Sequence, residues 1–143
     1  MSNPRPDPAE PDPTTRSPYS RYGTPAPLAA AAGMTFIEGV LTVMFGITEL
    51  VSLDSDRLVM GLTTSFFFLA YGGVLLACAR GLHTVRPWAR GPVLLSQLIL
   101  LGLAWNFRDG STLPIAIGLA IAAFVVLAGL LHPRSIDALE RAS

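Results

Sequence analysis

The chain has no lysine: its ten basic residues are all arginine, a bias that points to a genome poor in A-rich codons and says nothing about the fold. It has one cysteine, Cys78, so neither an intramolecular disulfide nor a Cys-x-x-Cys metal or redox pair can form. Charged side chains make up only 14% of the 143 residues, and they are nearly missing from four apolar runs of about twenty residues each. No Gly-x-Ser-x-Gly elbow, His-Glu-x-x-His, phosphate-binding loop or Gly-x-Gly-x-x-Gly occurs, so hydrolase, zinc-peptidase and nucleotide-binding chemistry have no anchor. His83 and His132 are two interfacial histidines, and such a pair is far more often unliganded than a metal site. The expectation is a protein that is not an enzyme, with no catalytic residue, no metal, no cofactor and no nucleic acid.

What is present is apolar. Half of the chain, 51%, is hydrophobic, arranged in blocks of membrane-spanning length. The expected fold class is all-α, a four-helix transmembrane bundle with a disordered N-terminal tail. Residues 1–27 hold eight of the twelve prolines and too little apolar surface to offset the entropy of ordering, which predicts a disordered, Pro-rich cytoplasmic tail. Spans are expected at about 28–53, 59–79, 89–107 and 111–131. A short polar turn at 54–58 and another at 108–110 join them in pairs, and a short cytoplasmic tail follows from 133 to 143.

The stretch between the second and third spans organises the rest. Arg80, Arg86 and Arg90 stand around Trp88 in a segment that cannot enter a bilayer cheaply, so it reads as an interfacial hairpin. Eight arginines fall on its side of the membrane (Arg5, Arg16, Arg21, Arg80, Arg86, Arg90, Arg134 and Arg141) against Arg57 and Arg108 on the other. The positive-inside rule then places both termini in the cytoplasm. The same asymmetry disfavours a small transporter that pairs head to tail in both orientations.

Within the spans, small residues line up at helical spacing. In the first, Thr35, Glu38, Gly39, Thr42, Gly46 and Glu49 share one face while Ile37, Val40, Met44, Ile47 and Val51 point away. In the second, Gly61, Ser65, Gly72 and Ala79 form a stripe expected to meet the first helix; in the fourth, Ser111, Gly118, Ala122 and Gly129 form another. Small residues let backbones approach closely, and in lipid such packing holds helices together. Phe66, Phe67 and Phe68 read as lipid-facing or packing aromatics, and Cys78 as a small packed thiol.

Glu38 is the side chain out of place. About ten residues into a span, it lies near mid-depth at 1.5 Å per residue, where an ionised group costs at least about 2.5 to 3.5 kcal/mol. No basic residue lies at that depth within a span to compensate it. As a neutral acid it can donate to one neighbour and accept from another. Gln97, at similar depth on the third span, is the expected partner, with Tyr71 or Ser65 second. Glu49 lies some 16 Å away along the axis by the same rise per residue, too far for a direct proton hop.

The run Trp88-Ala89-Arg90-Gly91-Pro92, leading through Gln97 into a third apolar segment, with Leu131-His132-Pro133 closing a fourth, resembles a group of small four-span integral membrane proteins of actinobacteria whose function is unknown. The likeness covers roughly residues 75–134. It implies the topology and a bacterial plasma membrane, and it carries over no functional residue. Two functions are left. One is a non-catalytic accessory or assembly protein that packs through its small-residue faces, in the bilayer, against a second copy or a larger membrane protein. The other is a small carrier or proton-linked transporter built around Glu38.

Overall fold

A computed structural model of the chain describes residues 24–53 and 58–142. All regular structure among them is helical: α1 (Ala26–Val51), α2 (Leu58–His83), α3 (Arg90–Asn106), α4 (Leu113–Leu131) and α5 (Pro133–Arg141). Single 3-10 turns lead into α3 (Pro87–Ala89) and into α4 (Gly110–Thr112). With those turns included, the first four helices are long and apolar enough to cross a membrane. The protein is an integral membrane protein built as a four-helix bundle, with α5 attached to one end.

The expected boundaries shift at three places, each for a local reason. The tail was expected to reach residue 27, but α1 begins at Ala26, after Pro25. Proline suits the first turn of a helix, where its missing N–H is no loss, so Pro25 and Pro27 start the helix. Thr24 donates its hydroxyl to the His83 carbonyl, and Leu28 is buried. The remainder of the expected tail, residues 1–23, and the turn at 54–57 lie outside the described residues. α2 continues past the expected 79 to His83, which shortens the hairpin. The C-terminal tail is helical from Pro133 onward, capped by His132, whose Nδ1 accepts from the Arg134 N–H at 3.2 Å. α4 stops at Leu131 because the residue before a proline is pushed toward extended backbone, and His132 has φ −64° and ψ 136°.

The hairpin itself is a tight stop. The Val85 N–H donates to the Leu82 carbonyl at 3.0 Å and the Arg86 N–H to the Gly81 carbonyl at 2.8 Å, the paired bonds of a Schellman termination. The residue in the left-handed position is usually glycine; here it is Val85, with φ 54°. A β-branched residue there is strained by about 1–3 kcal/mol. Its side chain packs against the buried cluster at this end of the bundle, which offsets the strain.

α1 is the central helix. It packs along α2 on one side and against α4 on the other, and α3 packs on α4, so the helices run α2, α1, α4, α3 across the bundle. α2 and α3, neighbours in the chain, scarcely meet. The dense apolar core sits at the hairpin end, where Leu28, Ala31, Cys78, Leu82, Val93, Val126 and Leu130 are buried together. α5 closes this end: Leu139 is 2% exposed within the same cluster, and Ser135 is buried beside it on the helix. Phe36, Met44, Phe66, Phe67, Leu98, Trp105, Ile121 and Phe124 stand out from the bundle, as side chains facing lipid do.

Candidate functional site

The polar side chains of three helices meet at mid-span. Glu38 lies halfway along α1, Tyr71 halfway along α2 and Gln97 halfway along α3. Gln97 donates from Nε2 to Glu38 Oε2 at 2.9 Å, and the same nitrogen lies 3.3 Å from Ser96 Oγ. Ser96 in turn donates to the Val93 carbonyl at 2.8 Å. Tyr71 faces Ser96 and Glu38 from α2, with no hydrogen bond of normal geometry to its hydroxyl. The ring of Tyr71 is stacked on Phe67, centroids 5.9 Å apart, which holds its orientation.

Each member is positioned by its own helix. Thr42 donates back to the Glu38 carbonyl at 2.7 Å, an i to i−4 bond that satisfies the hydroxyl locally and removes it from competition for the carboxyl. Ser65 does the same, donating to the Gly61 carbonyl at 2.8 Å. Ser65 was one of the two second-choice partners for Glu38, and that bond is why its hydroxyl stays on α2. Gln97 is completely buried, so its amide has no solvent alternative.

The centre is only half satisfied. Glu38 Oε1, Gln97 Oε1, the Tyr71 hydroxyl and the Thr35 hydroxyl, one turn before Glu38, are buried without a hydrogen-bond partner among the described residues. In a low-dielectric interior an unpartnered polar group is costly. Three of these four atoms belong to the residues that converge on the Glu38–Gln97 bond. Thr35 was read from its spacing on the same face as Glu38; Ser96 was visible in the sequence as a polar residue in a span, but nothing in its spacing marked it as a member of this centre. Among the described residues no three His, Cys, Asp or Glu side chains come together as a metal group.

The small residues divide sharply. At the α1–α2 crossing a Cβ added to Gly72 would lie 2.7 Å from Val43 Cγ2, 2.9 Å from the Val43 nitrogen and 3.0 Å from the Gly39 carbonyl oxygen. Gly39 faces Leu76 and Gly46 faces Leu69 in the same interface. Gly129 on α4 lets the start of α1 approach, since a Cβ there would sit 2.5 Å from the Pro27 carbonyl oxygen. Gly61 is half-buried and faces Leu53, at the end of the α1 side, and Ala122 is buried on α4. Gly118 is different and corrects the sequence reading: it is exposed, with nothing within 4 Å of the position a Cβ would take. The buried arc of α4 is centred on Ala116, Ala123, Val126 and Leu130, and the stripe from Gly118 to Gly129 runs along its edge.

At the hairpin, Arg80, Arg86 and Trp88 are exposed and Arg90 is half-buried. Trp88 and Ala89 lie over Gly81, where an added Cβ would be 2.8 Å from the Ala89 Cβ. Arg108, at the opposite end of the bundle, stacks over Trp105 at 4.0 Å and pairs with Asp109 at 3.8 Å. Comparison of the chain with protein-family models, with curated proteins and with solved structures returns no match, so no other protein's residues can be laid over this centre.

Proposed function

We propose that this membrane protein is a non-catalytic accessory or assembly protein that binds a second copy of itself or a larger membrane protein through small-residue helix faces. One observation supports the reading above others. Gly73 on α2, Gly102 on α3 and Gly118 on α4 are exposed helix-interior glycines with nothing within 4 Å of a Cβ position. Each weakens its helix by roughly 0.5–1 kcal/mol relative to alanine and relieves no crowding among the described residues. A helix from outside would use the grooves they leave. Changing all three to leucine should leave the purified protein folded while abolishing its stoichiometric partner in native-membrane pull-downs. A partner retained by the triple variant would sink the reading.

The membrane is the bacterial plasma membrane on this reading, with both termini in the cytoplasm. Among the described residues Arg80, Arg86, Arg90, Arg134 and Arg141 lie at the hairpin end against Arg108 at the other, the asymmetry of the positive-inside rule, and the actinobacterial resemblance agrees with it. In a Cys78→Ala background, a cysteine at Gly110 should react with an impermeant thiol reagent from outside and one at Thr84 should not. Labelling at Thr84 from outside would reverse the topology.

A carrier reading also has an observation in its favour, the unpartnered oxygens beside Glu38 at mid-span. Against it, α1 to α4 are unbroken through the centre, where carriers commonly interrupt their helices. Solute uptake into vesicles separates the two.

A further inference from the structure

The half-satisfied polar centre has a composition that selects its missing partner. We propose that it binds a small monovalent cation, with sodium as the probe, through Glu38 Oε1, Gln97 Oε1 and the Tyr71 hydroxyl oxygen. This goes beyond the assembly reading and does not depend on it.

The donors and acceptors are unequal. Gln97 Nε2 is used by Glu38 Oε2 and Ser96 Oγ, and the Ser96 proton by the Val93 carbonyl. What remains without a partner is a carboxyl oxygen, an amide carbonyl oxygen and a phenol oxygen, with the Thr35 hydroxyl one helical turn away. The amide carbonyl accepts only, and the hydroxyls accept as well as donate. An acceptor-rich set of hard oxygens suits an alkali or alkaline-earth cation rather than an anion or a soft metal.

Charge narrows the choice. Glu38 is the only acidic side chain in the centre. The titratable group facing it is Tyr71 from α2; α3 contributes Ser96 and Gln97, which do not titrate, and α4 contains no titratable residue. The remaining titratable residues of α1 and α2 are Glu49, Cys78, Arg80 and His83, all more than a turn from the centre. A monovalent cation with one carboxylate is neutral, whereas a divalent ion would leave a net positive charge inside the membrane. Gln97 and Thr35 are 0% exposed, while Glu38 and Tyr71 are half-buried, so the amide oxygen is shielded and the carboxyl and phenol oxygens lie on the side from which an ion would enter.

The test uses the full chain purified in detergent at pH 8 and constant ionic strength, with sodium chloride exchanged for choline chloride and Tm followed by tryptophan fluorescence. Sodium should raise Tm with the logarithm of its concentration, by about 4–8 °C at about five times its dissociation constant, and choline should not. At pH 5.5 protons compete for the carboxylate, so the sodium concentration giving a set rise should increase about tenfold or more. Glu38→Gln should abolish the sodium response. Tyr71→Phe, which keeps the ring and its stacking, should shift that concentration about tenfold and serves where Glu38→Gln fails to fold. The proposal is overturned by equal responses to sodium and choline, by a sodium requirement that ignores pH, by a Glu38→Gln protein that responds like wild type, or by an unchanged sodium requirement in Tyr71→Phe.

Discussion

The bundle holds two of its helices in opposite ways. α1 and α2 lie backbone against backbone, with Gly72 set against Val43 and the Gly39 carbonyl. α3 has no such contact with either. It rests on α4 and reaches α1 through the Gln97 to Glu38 hydrogen bond. In water both attachments would be overshadowed by burial of apolar surface, but lipid is as apolar as leucine and removes that advantage. The contact that depends on shape is therefore continuous along two helices, while the one that depends on polarity is concentrated in a single pair.

Breaking the first attachment should cost most. Gly72→Leu drives a side chain into the Val43 backbone, and overpacking of this kind costs about 1–3 kcal/mol and sometimes more. The expected outcome is the largest fall in detergent Tm of any single change in the bundle, with the lipid-facing Phe66→Ala, at a side chain 74% exposed, as the near-silent control. Equal falls would mean that the crossing carries no special weight.

Breaking the second attachment should cost less. Gln97→Leu preserves the volume but removes the only donor to Glu38 Oε2, and membrane hydrogen bonds of this type contribute about 0.6 to 2 kcal/mol. Tm should fall by a correspondingly smaller amount, and cross-linking between α1 and α3 should drop while that between α1 and α2 is kept. Loss of both would show that the two attachments are one cooperative unit.

The smallest effect sharpens the comparison by moving outside it. Gly118→Leu places a side chain where nothing stands within 4 Å, so the monomer's Tm should not fall, and the gain in helix propensity of roughly 0.5–1 kcal/mol should raise it slightly. A fall comparable to that of Gly72→Leu would put Gly118 back in the packed interior.

Much of this contrast was legible in the residues. A carboxyl and an amide at equal depth, in spans otherwise nearly without strong hydrogen-bonding groups, have few partners but each other, and Gln97 was the partner expected for Glu38. The α1 face from Thr35 to Gly46 was equally readable, because polar and small residues fall together on one side of a helix whose other side is Ile37, Met44 and Ile47. Gly118 was misread for the complementary reason: α4 is apolar all round, so polarity does not distinguish its inner face from its outer, and only crossing geometry decides. The order of the helices across the bundle was not legible at all, since the hairpin joins α2 to α3 without making them packing neighbours. The docking of Leu139 was legible only in part: Ile136 and Leu139 share one face of an otherwise polar segment, but the buried cluster with Leu82 and Leu130 that receives Leu139 comes from the fold.

The separation of Glu38 from Gln97 by 59 positions has a meaning in time. Chains emerge from the ribosome at about 5–20 residues per second, so the amide that completes the centre is made about 3 to 12 s after Glu38 and about 1 to 3 s after the end of α2. During that interval the glycine crossing is the attachment α1 has, and its acid waits without a donor. α3 then arrives before α4, the helix it packs on. Vectorial synthesis thus requires the shape-dependent contact to form first and the polar one to act as the latch that admits a late helix. Nascent chains ending at His83 and carried clear of the ribosome by a polar linker should already hold α1 against α2 in cross-linking; chains in which that contact appears only after α4 has been made would reverse the order.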